Sequence, residues 1–112
     1  MGKATQSQIA MLYLKAFSEK DLASLETMFA ENVILTDWDG QMVGRDNVLA
    51  FNQTLFLQLG NIRIDIDKIA IGHDTVIAEI KVVLDEKVSV AVIDVIDFDQ
   101  DNKIREIRAY KR

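Results

Sequence analysis

One acidic residue interrupts the apolar face of a predicted β-strand. From Val88 to Phe98 every second side chain is apolar, and the break in this pattern is Asp94. Because a lone carboxylate is costly to remove from water, a carboxyl group at such a position should have a raised pKa and keep its proton. A protonated carboxylic acid donates a hydrogen bond, which an ionised aspartate cannot do. Asp94 is therefore a candidate hydrogen-bond donor; the alternatives are a buried aspartate bound by backbone N–H groups or a stripe that faces solvent.

Two further polar residues have the same ambiguity between chemistry and structure. Asp37 lies near the end of a predicted strand, on its apolar face, but it also precedes the Asp39-Gly40 turn and could be a turn or capping residue. Tyr13 lies on the apolar stripe of a predicted helix, where its hydroxyl is either satisfied within the core or free to bind a ligand. For each residue the pattern leaves both alternatives open.

The composition argues against metal and cofactor sites. The chain has no cysteine and one histidine, His73, which falls in a predicted turn at Gly72-His73-Asp74. Without a second histidine or a thiolate, a tightly bound zinc or iron ion is not expected. The chain also lacks a glycine-rich phosphate loop, so we expect no nucleotide cofactor.

Charge and hydropathy bear on the partners and the compartment. The net charge of -5 repels phosphate backbones and anionic headgroups, so neither nucleic acid nor a membrane surface is an expected partner. The basic residues near the end of the chain alternate with acidic and apolar ones, and we interpret them as a solvated strand edge. They are Lys103, Arg105, Arg108, Lys111 and Arg112. The absence of cysteine, of a long apolar stretch and of a hydrophobic export segment predicts a cytoplasmic protein.

Helices in the first part of the chain are expected to position these residues. Apolar side chains recur at helical spacing from Ile9 to Phe17. Asp21 is a suitable N-cap for a second helix, whose apolar positions continue to Phe29. A third helix is predicted from near Asp46 to Gly60.

Strands follow, because the apolar period changes to two residues after the third helix. The predicted strands cover residues 63–67, 75–84, 88–98 and 103–110, with a shorter one at 33–38 before the third helix. Helices followed by a strand meander predict an α+β fold in a single domain, residues 1–112, with helices on one face of an antiparallel sheet. If such a sheet is strongly curved, it closes a cone over the helices.

In order along the chain, these segments resemble the ketosteroid isomerase family, within the larger group of SnoaL-like proteins and proteins with a nuclear transport factor 2-like (NTF2-like) fold. Leu12 to Leu22 resembles the first helix and the start of the second, and Met28 to Asp37 resembles the second helix and the first strand. Val90 to Asp94 resembles a later strand, and the whole resemblance extends from about Ala10 to Tyr110. It implies N-terminal helices packed on a strongly curved antiparallel or mixed sheet, and it implies a homodimer.

The resemblance also implies a role for each of the three polar residues. Asp37 matches the family's base, which takes a proton from the carbon next to a ketone, while Tyr13 and a protonated Asp94 match the donors to the ketone oxygen. The implied activity is cofactor-independent proton transfer on a small hydrophobic ketone through an enolate, as in a steroid delta-isomerase. The predicted pocket-lining residues are Phe17, Trp38, Phe51, Asn52 and Leu55.

Two residues depart from the family pattern. Trp38 follows the base position, where the family usually has a small residue or proline, and Asn52 takes the place of a supporting tyrosine. Both changes alter the expected pocket and argue against steroid-sized substrates. Two alternatives therefore stay open: a non-catalytic module that binds small molecules or dimerises, and a SnoaL-like polyketide cyclase.

Overall fold

The computed structural model describes residues 5–112, which form three helices packed on one face of a six-stranded sheet. The helices are α1 (Gln6–Ser18), α2 (Leu22–Met28) and α3 (Arg45–Gln58). The strands are β1 (Phe29–Asp37), β2 (Gly40–Val43), β3 (Ile62–Gly72), β4 (Thr75–Leu84), β5 (Val88–Phe98) and β6 (Ile104–Lys111). The predicted α+β fold is confirmed.

Side-chain caps determine where the first two helices begin. The Thr5 hydroxyl accepts a hydrogen bond from the Gln8 N–H at 3.2 Å, and the Gln8 side-chain oxygen accepts one from the Thr5 N–H at 2.8 Å. This reciprocal pair satisfies two backbone donors at the start of α1. Asp21 caps α2 as predicted, because its carboxylate accepts a hydrogen bond from the Ser24 N–H at 3.1 Å. The caps thereby define the helix that carries Tyr13 and the turn that follows it.

The sheet is mixed, and its curvature has identifiable causes. Its strand order is β2-β1-β6-β5-β4-β3, and each neighbouring pair is antiparallel except β1 and β6, which run parallel. Register shifts between Phe29 and Ile34 of β1 and between Ile66 and Lys68 of β3 mark bulges, which bend the strands. The sheet is consequently curved, with the helices on its inner face.

The first strand begins earlier than the sequence pattern predicts. The prediction that Phe29 belongs to the second helix is wrong, because it is the first residue of β1. The Phe29 N–H still donates to the Leu25 carbonyl and closes the last turn of α2, while its own backbone is extended at φ −84° and ψ 136°. Since its side chain would be buried in either element, helical spacing does not distinguish them. Strand β2 is a second difference, because the pattern predicts only a turn there.

The core lies between the helices and the inner face of the sheet. Leu25 and Ile107 are among its largest fully buried side chains. The alternation predicted for β5 is present, since Val92, Asp94 and Ile96 are all buried. Asp94 thus lies within the apolar stripe, as the sequence pattern indicates. No helix within residues 5–112 is long and apolar enough to cross a membrane.

Candidate functional site

A cavity of about 300 Å³ opens between α1, α3 and the inner face of the sheet. Ligand pockets typically occupy about 300–1,000 Å³, so this cavity is at the small end of that range. Most of its wall is apolar, with Phe17 from α1, Leu55 from α3, and Ile80 and Val92 from the sheet. A cavity of this kind suits a small hydrophobic molecule.

The cavity brings together the residues that the sequence singles out. Tyr13 reaches it from α1, Asp37 from the end of β1 and Asp94 from the middle of β5. The five predicted pocket-lining residues are also on its wall: Phe17, Trp38, Phe51, Asn52 and Leu55. This shared location is a geometric finding, and a catalytic role for any of these residues stays a prediction.

Asp94 lies in an apolar part of the sheet, between two strands that place an alanine opposite it. It is 7% exposed, and its cross-strand neighbours are Ala78 on β4 and Ala109 on β6. Their methyl groups offer no hydrogen bond, and no other residue in the described part of the chain donates one to this carboxyl group. Burial raises the pKa of Asp94 to about 7. A substantial share of the group is therefore protonated near neutral pH and able to donate a hydrogen bond into the cavity.

Tyr13 offers a second donor to the same cavity. It is 5% exposed, and its ring packs against Phe17 and Phe29 with centroid separations of 6.4 and 6.2 Å. Its hydroxyl forms no hydrogen bond within residues 5–112. Burial raises the pKa of Tyr13, and the negative charge of Asp94 raises it further. The hydroxyl therefore stays protonated, and it lines the same cavity as Asp94.

Asp97 shows what a different environment does to a carboxyl group on the same strand. It is 7% exposed, like Asp94, but lies on the opposite face of the sheet. Arg108 and Thr75 each donate a hydrogen bond to its carboxylate at 2.7 Å. Burial raises the pKa of Asp97, but the hydrogen bonds from Arg108 and Thr75 outweigh this and hold that pKa below its ordinary value. Asp94 therefore differs from Asp97 both in its apolar surroundings and in its lack of a hydrogen-bond partner.

Asp37 has a structural role in addition to its place at the cavity. Its Oδ1 accepts hydrogen bonds from the Asp39 N–H at 2.8 Å and the Gly40 N–H at 3.2 Å, which stabilise the turn between β1 and β2. This is the turn role that the sequence left open as the alternative. The other carboxylate oxygen receives no hydrogen bond from the described residues, so it is free to act in the cavity.

Two charged residues at the cavity were not identified from the sequence. Asp39 and Lys111 both line it, and the Lys111 ammonium lies 4.8 Å from the centre of the Trp38 ring, within range of a cation–π interaction. The interpretation of Lys111 as part of a solvated strand edge is wrong, because β6 pairs with β1 on one side and β5 on the other and is an interior strand of the sheet. The exposed Lys111 side chain also borders the cavity. A usable signal was present: Ile107, Ala109 and Lys111 alternate on the inner face of β6 and all line the cavity.

The polar groups of this site can perform acid–base chemistry and hydrogen bonding. Its ionisable side chains are Tyr13, Asp37, Asp39, Asp94 and Lys111. Within residues 5–112, no three or more histidine, aspartate or glutamate side chains are grouped so that they could hold a metal ion. The arrangement combines donors and acceptors on a wall that is otherwise apolar.

The chain belongs to the SnoaL-like domain family. The family profile matches residues 11–107, a range that includes Tyr13, Asp37 and Asp94. This confirms the predicted membership of the NTF2-like superfamily. No curated protein shows significant similarity to the chain.

Solved structures share the fold at low sequence identity. A proposed SnoaL-like polyketide cyclase from Shewanella denitrificans OS-217 superposes with a TM-score of 0.87 at 17% identity, over 98% of this chain and 92% of that chain. A hypothetical protein with a ketosteroid isomerase-like fold from Catenulispora acidiphila DSM 44928, in complex with trimethylamine, has a TM-score of 0.83 at 19% identity, over 95% and 86% of the two chains. An LEH-like epoxide hydrolase from M. tuberculosis has a TM-score of 0.83 at 16% identity, over 96% and 82%. At these identities the similarity shows the NTF2-like fold alone.

Proposed function

We propose that the protein is a cofactor-independent enzyme that transfers a proton at the carbon next to the carbonyl group of a small hydrophobic ketone. The observation that carries this proposal is a pair of buried donors, Tyr13 and protonated Asp94, which face one apolar cavity without a partner among the described residues. Buried polar groups are costly when they lack a hydrogen bond, so a ligand that supplies the acceptor is favoured. An oxygen atom that gains negative charge is the acceptor that two such donors stabilise most.

In the proposed reaction, Asp37 is the base. Its free carboxylate oxygen takes a proton from the carbon next to the ketone, the electrons of the C–H bond form a carbon–carbon double bond, and the carbonyl π electrons move to the oxygen. Tyr13 and Asp94 donate hydrogen bonds to this oxygen as its charge grows. If the substrate carries a carbon–carbon double bond one carbon further on, this first step gives a dienolate. The carbonyl group then re-forms, the double-bond electrons shift along the chain, and Asp37 returns the proton to the far carbon. The double bond has moved into conjugation, and no oxidant, reductant or net proton is consumed.

The dimensions of the cavity narrow the range of substrates. At about 300 Å³, it is small for a ligand pocket, and the large Trp38 ring with Lys111 beside it occupies part of its boundary. The wall is mostly apolar, and in such surroundings of low dielectric constant each hydrogen bond to the enolate oxygen is stronger than in water. We therefore expect substrates of one or two rings and not steroids.

Two alternatives are supported by specific observations. The hydrogen bonds from Asp39 and Gly40 to Asp37 explain that carboxylate without any catalysis, which favours a module that only binds small molecules. The fold similarity to a proposed polyketide cyclase favours a cyclase, which would use the same base and cavity. Both alternatives predict no double-bond migration in a simple enone.

One pair of measurements separates these functions. Conversion of a small unconjugated enone to its conjugated isomer is followed by ultraviolet absorbance, and binding of 2-naphthol, a phenol that mimics the enolate, is measured by fluorescence titration. Turnover together with naphthol binding supports the isomerase. Binding without turnover favours the non-catalytic module or the cyclase, and absence of both contradicts the proposed role of the two donors.

Tyr13→Phe is expected to lower turnover by about 10²–10³-fold, because one of the two hydrogen bonds to the enolate oxygen is lost. Binding of 2-naphthol should weaken in the same variant, since its phenolate oxygen uses the same donor. The matched control is Tyr110→Phe, because Tyr110 is the other of the two tyrosines and is 53% exposed. If Tyr13→Phe and Tyr110→Phe have the same turnover and the same affinity for 2-naphthol, Tyr13 takes no part in the mechanism.

A further inference from the structure

Asn52 is a buried polar residue in the apolar wall of the cavity. It lies on α3, is 2% exposed and lines the cavity. None of the hydrogen bonds within residues 5–112 involves its side-chain amide, and the amide is not among the fully enclosed unpaired groups, so it reaches the surface of the cavity. By contrast, Asn47 on the same helix is exposed and donates a hydrogen bond to the Val43 carbonyl at 2.9 Å. The amide at position 52 is therefore both desolvated and free to interact with a molecule in the cavity.

The apolar surroundings of Asn52 do not require an amide, because an apolar side chain of similar size would pack there equally well. Its helix neighbours toward the core are Val48 and Phe56, both buried, and Phe51 and Leu55 beside it line the cavity. A leucine has a similar size and would fill the same space without an unpaired donor and acceptor. Buried side-chain amides nearly always have a hydrogen-bond partner. The missing partner at position 52 is thus best supplied by whatever occupies the cavity.

We propose that Asn52 binds a hydroxyl group of the ligand, at a wall of the cavity different from the one that holds the ligand's carbonyl oxygen. Tyr13 is on α1 and Asp94 on β5, whereas Asn52 is on α3, so the two sets of polar groups come from separate elements. The substrate class is then a small hydroxylated ketone. This inference rests on the proposed function for the identity of the carbonyl group.

The chemistry of an amide favours a hydroxyl over a charged group. The side-chain oxygen of asparagine accepts one hydrogen bond while its NH₂ group donates, and a hydroxyl can either donate to the first or accept from the second. A carboxylate or an ammonium ion would bring an unneutralised charge next to the apolar side chains of Phe51 and Leu55, which is costly. The charged residue Lys111 borders the cavity as an exposed side chain and is the more suitable partner for an anion.

The test compares 2-naphthol with the set of dihydroxynaphthalenes that add one hydroxyl at each other ring position. With the wild-type protein, at least one isomer should bind about 10-fold more tightly than 2-naphthol, which corresponds to one additional hydrogen bond. In Asn52→Leu that preference should disappear, so that the favoured isomer and 2-naphthol bind this variant with the same affinity as each other, to within about 3-fold. Gln53→Leu is the matched control, because the neighbouring Gln53 is exposed and should keep the preference.

The outcomes distinguish this inference from the proposed function. If no isomer binds more tightly than 2-naphthol, or if Asn52→Leu keeps the preference, the amide is satisfied by water and the inference is wrong. If Tyr13→Phe leaves 2-naphthol binding unchanged, the proposed function is wrong. The isomer comparison between the wild type and Asn52→Leu tests the role of Asn52 independently of that result. Asn52→Ala provides a second variant in case the leucine side chain prevents folding, and loss of the preference is expected there as well.

Discussion

Replacing Asp37 with asparagine is expected to lower turnover of an unconjugated enone by about 10²–10⁴-fold, while binding of 2-naphthol changes little. The variant removes the base but keeps the shape of the side chain. The asparagine Oδ1 can still accept the hydrogen bonds that Asp39 and Gly40 donate at 2.8 and 3.2 Å, so the turn should survive. Loss of turnover with an intact turn therefore separates the catalytic role of Asp37 from its structural role, which Asp37→Ala would not do.

Asp39→Asn is the matched control for this prediction. Asp39 lies in the same turn and also lines the cavity, and its substitution removes the same charge. If Asp37 is the base, the Asp39 variant should keep most of its turnover. If turnover is lost in Asp39→Asn and retained in Asp37→Asn, the base is Asp39, and the resemblance that pointed to Asp37 is misleading at this position. If both variants turn over the enone as fast as the wild type, neither carboxylate is the base and the proposed reaction is wrong.

Strand boundaries were predictable where local chemistry determines them. The predicted strands at 75–84 and 88–98 coincide with β4 and β5. Both are bounded by turn residues with positive φ, at 52° for Asp74, 53° for Asp85 and 55° for Glu86. Aspartate adopts this backbone region more readily than most residues, and alternating apolar side chains follow directly. The pattern and the turn thus give the same boundary.

Pairing between distant segments was not predictable in the same way. β1 and β6 pair in parallel, with Thr36 opposite Arg108, which places the end of one strand beside the end of the other. Trp38 and Lys111 meet at the cavity for this reason. No pattern within either segment encodes the contact, and the exposed edge strand β2 lacks the apolar alternation that would have identified it.

The candidate site was predictable in part for similar reasons. The position of Asp94 within an apolar stripe is a local feature, and the alternation along β5 was enough to find it. Its lack of a partner depends on Ala78 and Ala109, which belong to neighbouring strands, so the sequence left open a carboxyl group bound by backbone N–H groups. For Asp37 the structure shows the turn role, because its Oδ1 accepts hydrogen bonds from the turn, while its role as a base stays a prediction.

The stability of the protein is expected to fall by about 2–3 kcal/mol between pH 5 and pH 8 because of Asp94. The pKa of this carboxyl is raised to about 7 in the folded protein, whereas in the unfolded chain it is about 3.9. Between these values the folded state binds more protons, so the stabilisation is complete below about pH 4 and is lost as the pH rises through about 7. The pKa values of Asp21, Glu86 and Asp97 are lowered in the folded protein, so these groups affect stability at a pH below the range from 5 to 8.

The free energy of unfolding, measured by urea titration at each pH from 5 to 8, tests this expectation. Asp94→Asn cannot ionise, so its stability should be nearly constant across the range and should exceed that of the wild type at pH 8. Asp97→Asn is the control, because it loses the hydrogen-bonded ion pair with Arg108 and should be less stable at every pH without a change in slope. A wild-type protein whose stability does not decline would show that Asp94 is ionised throughout.

The same protonation links stability to the proposed activity. Only the protonated Asp94 can donate a hydrogen bond to the enolate oxygen, so turnover should decline over the pH range in which stability declines, near the pKa of about 7. Ligand binding will move both midpoints upward if the bound oxygen favours the protonated acid. A decline in stability without a decline in turnover would mean that Asp94 is buried and protonated but takes no part in the reaction, which would leave Tyr13 as the remaining donor of the pair.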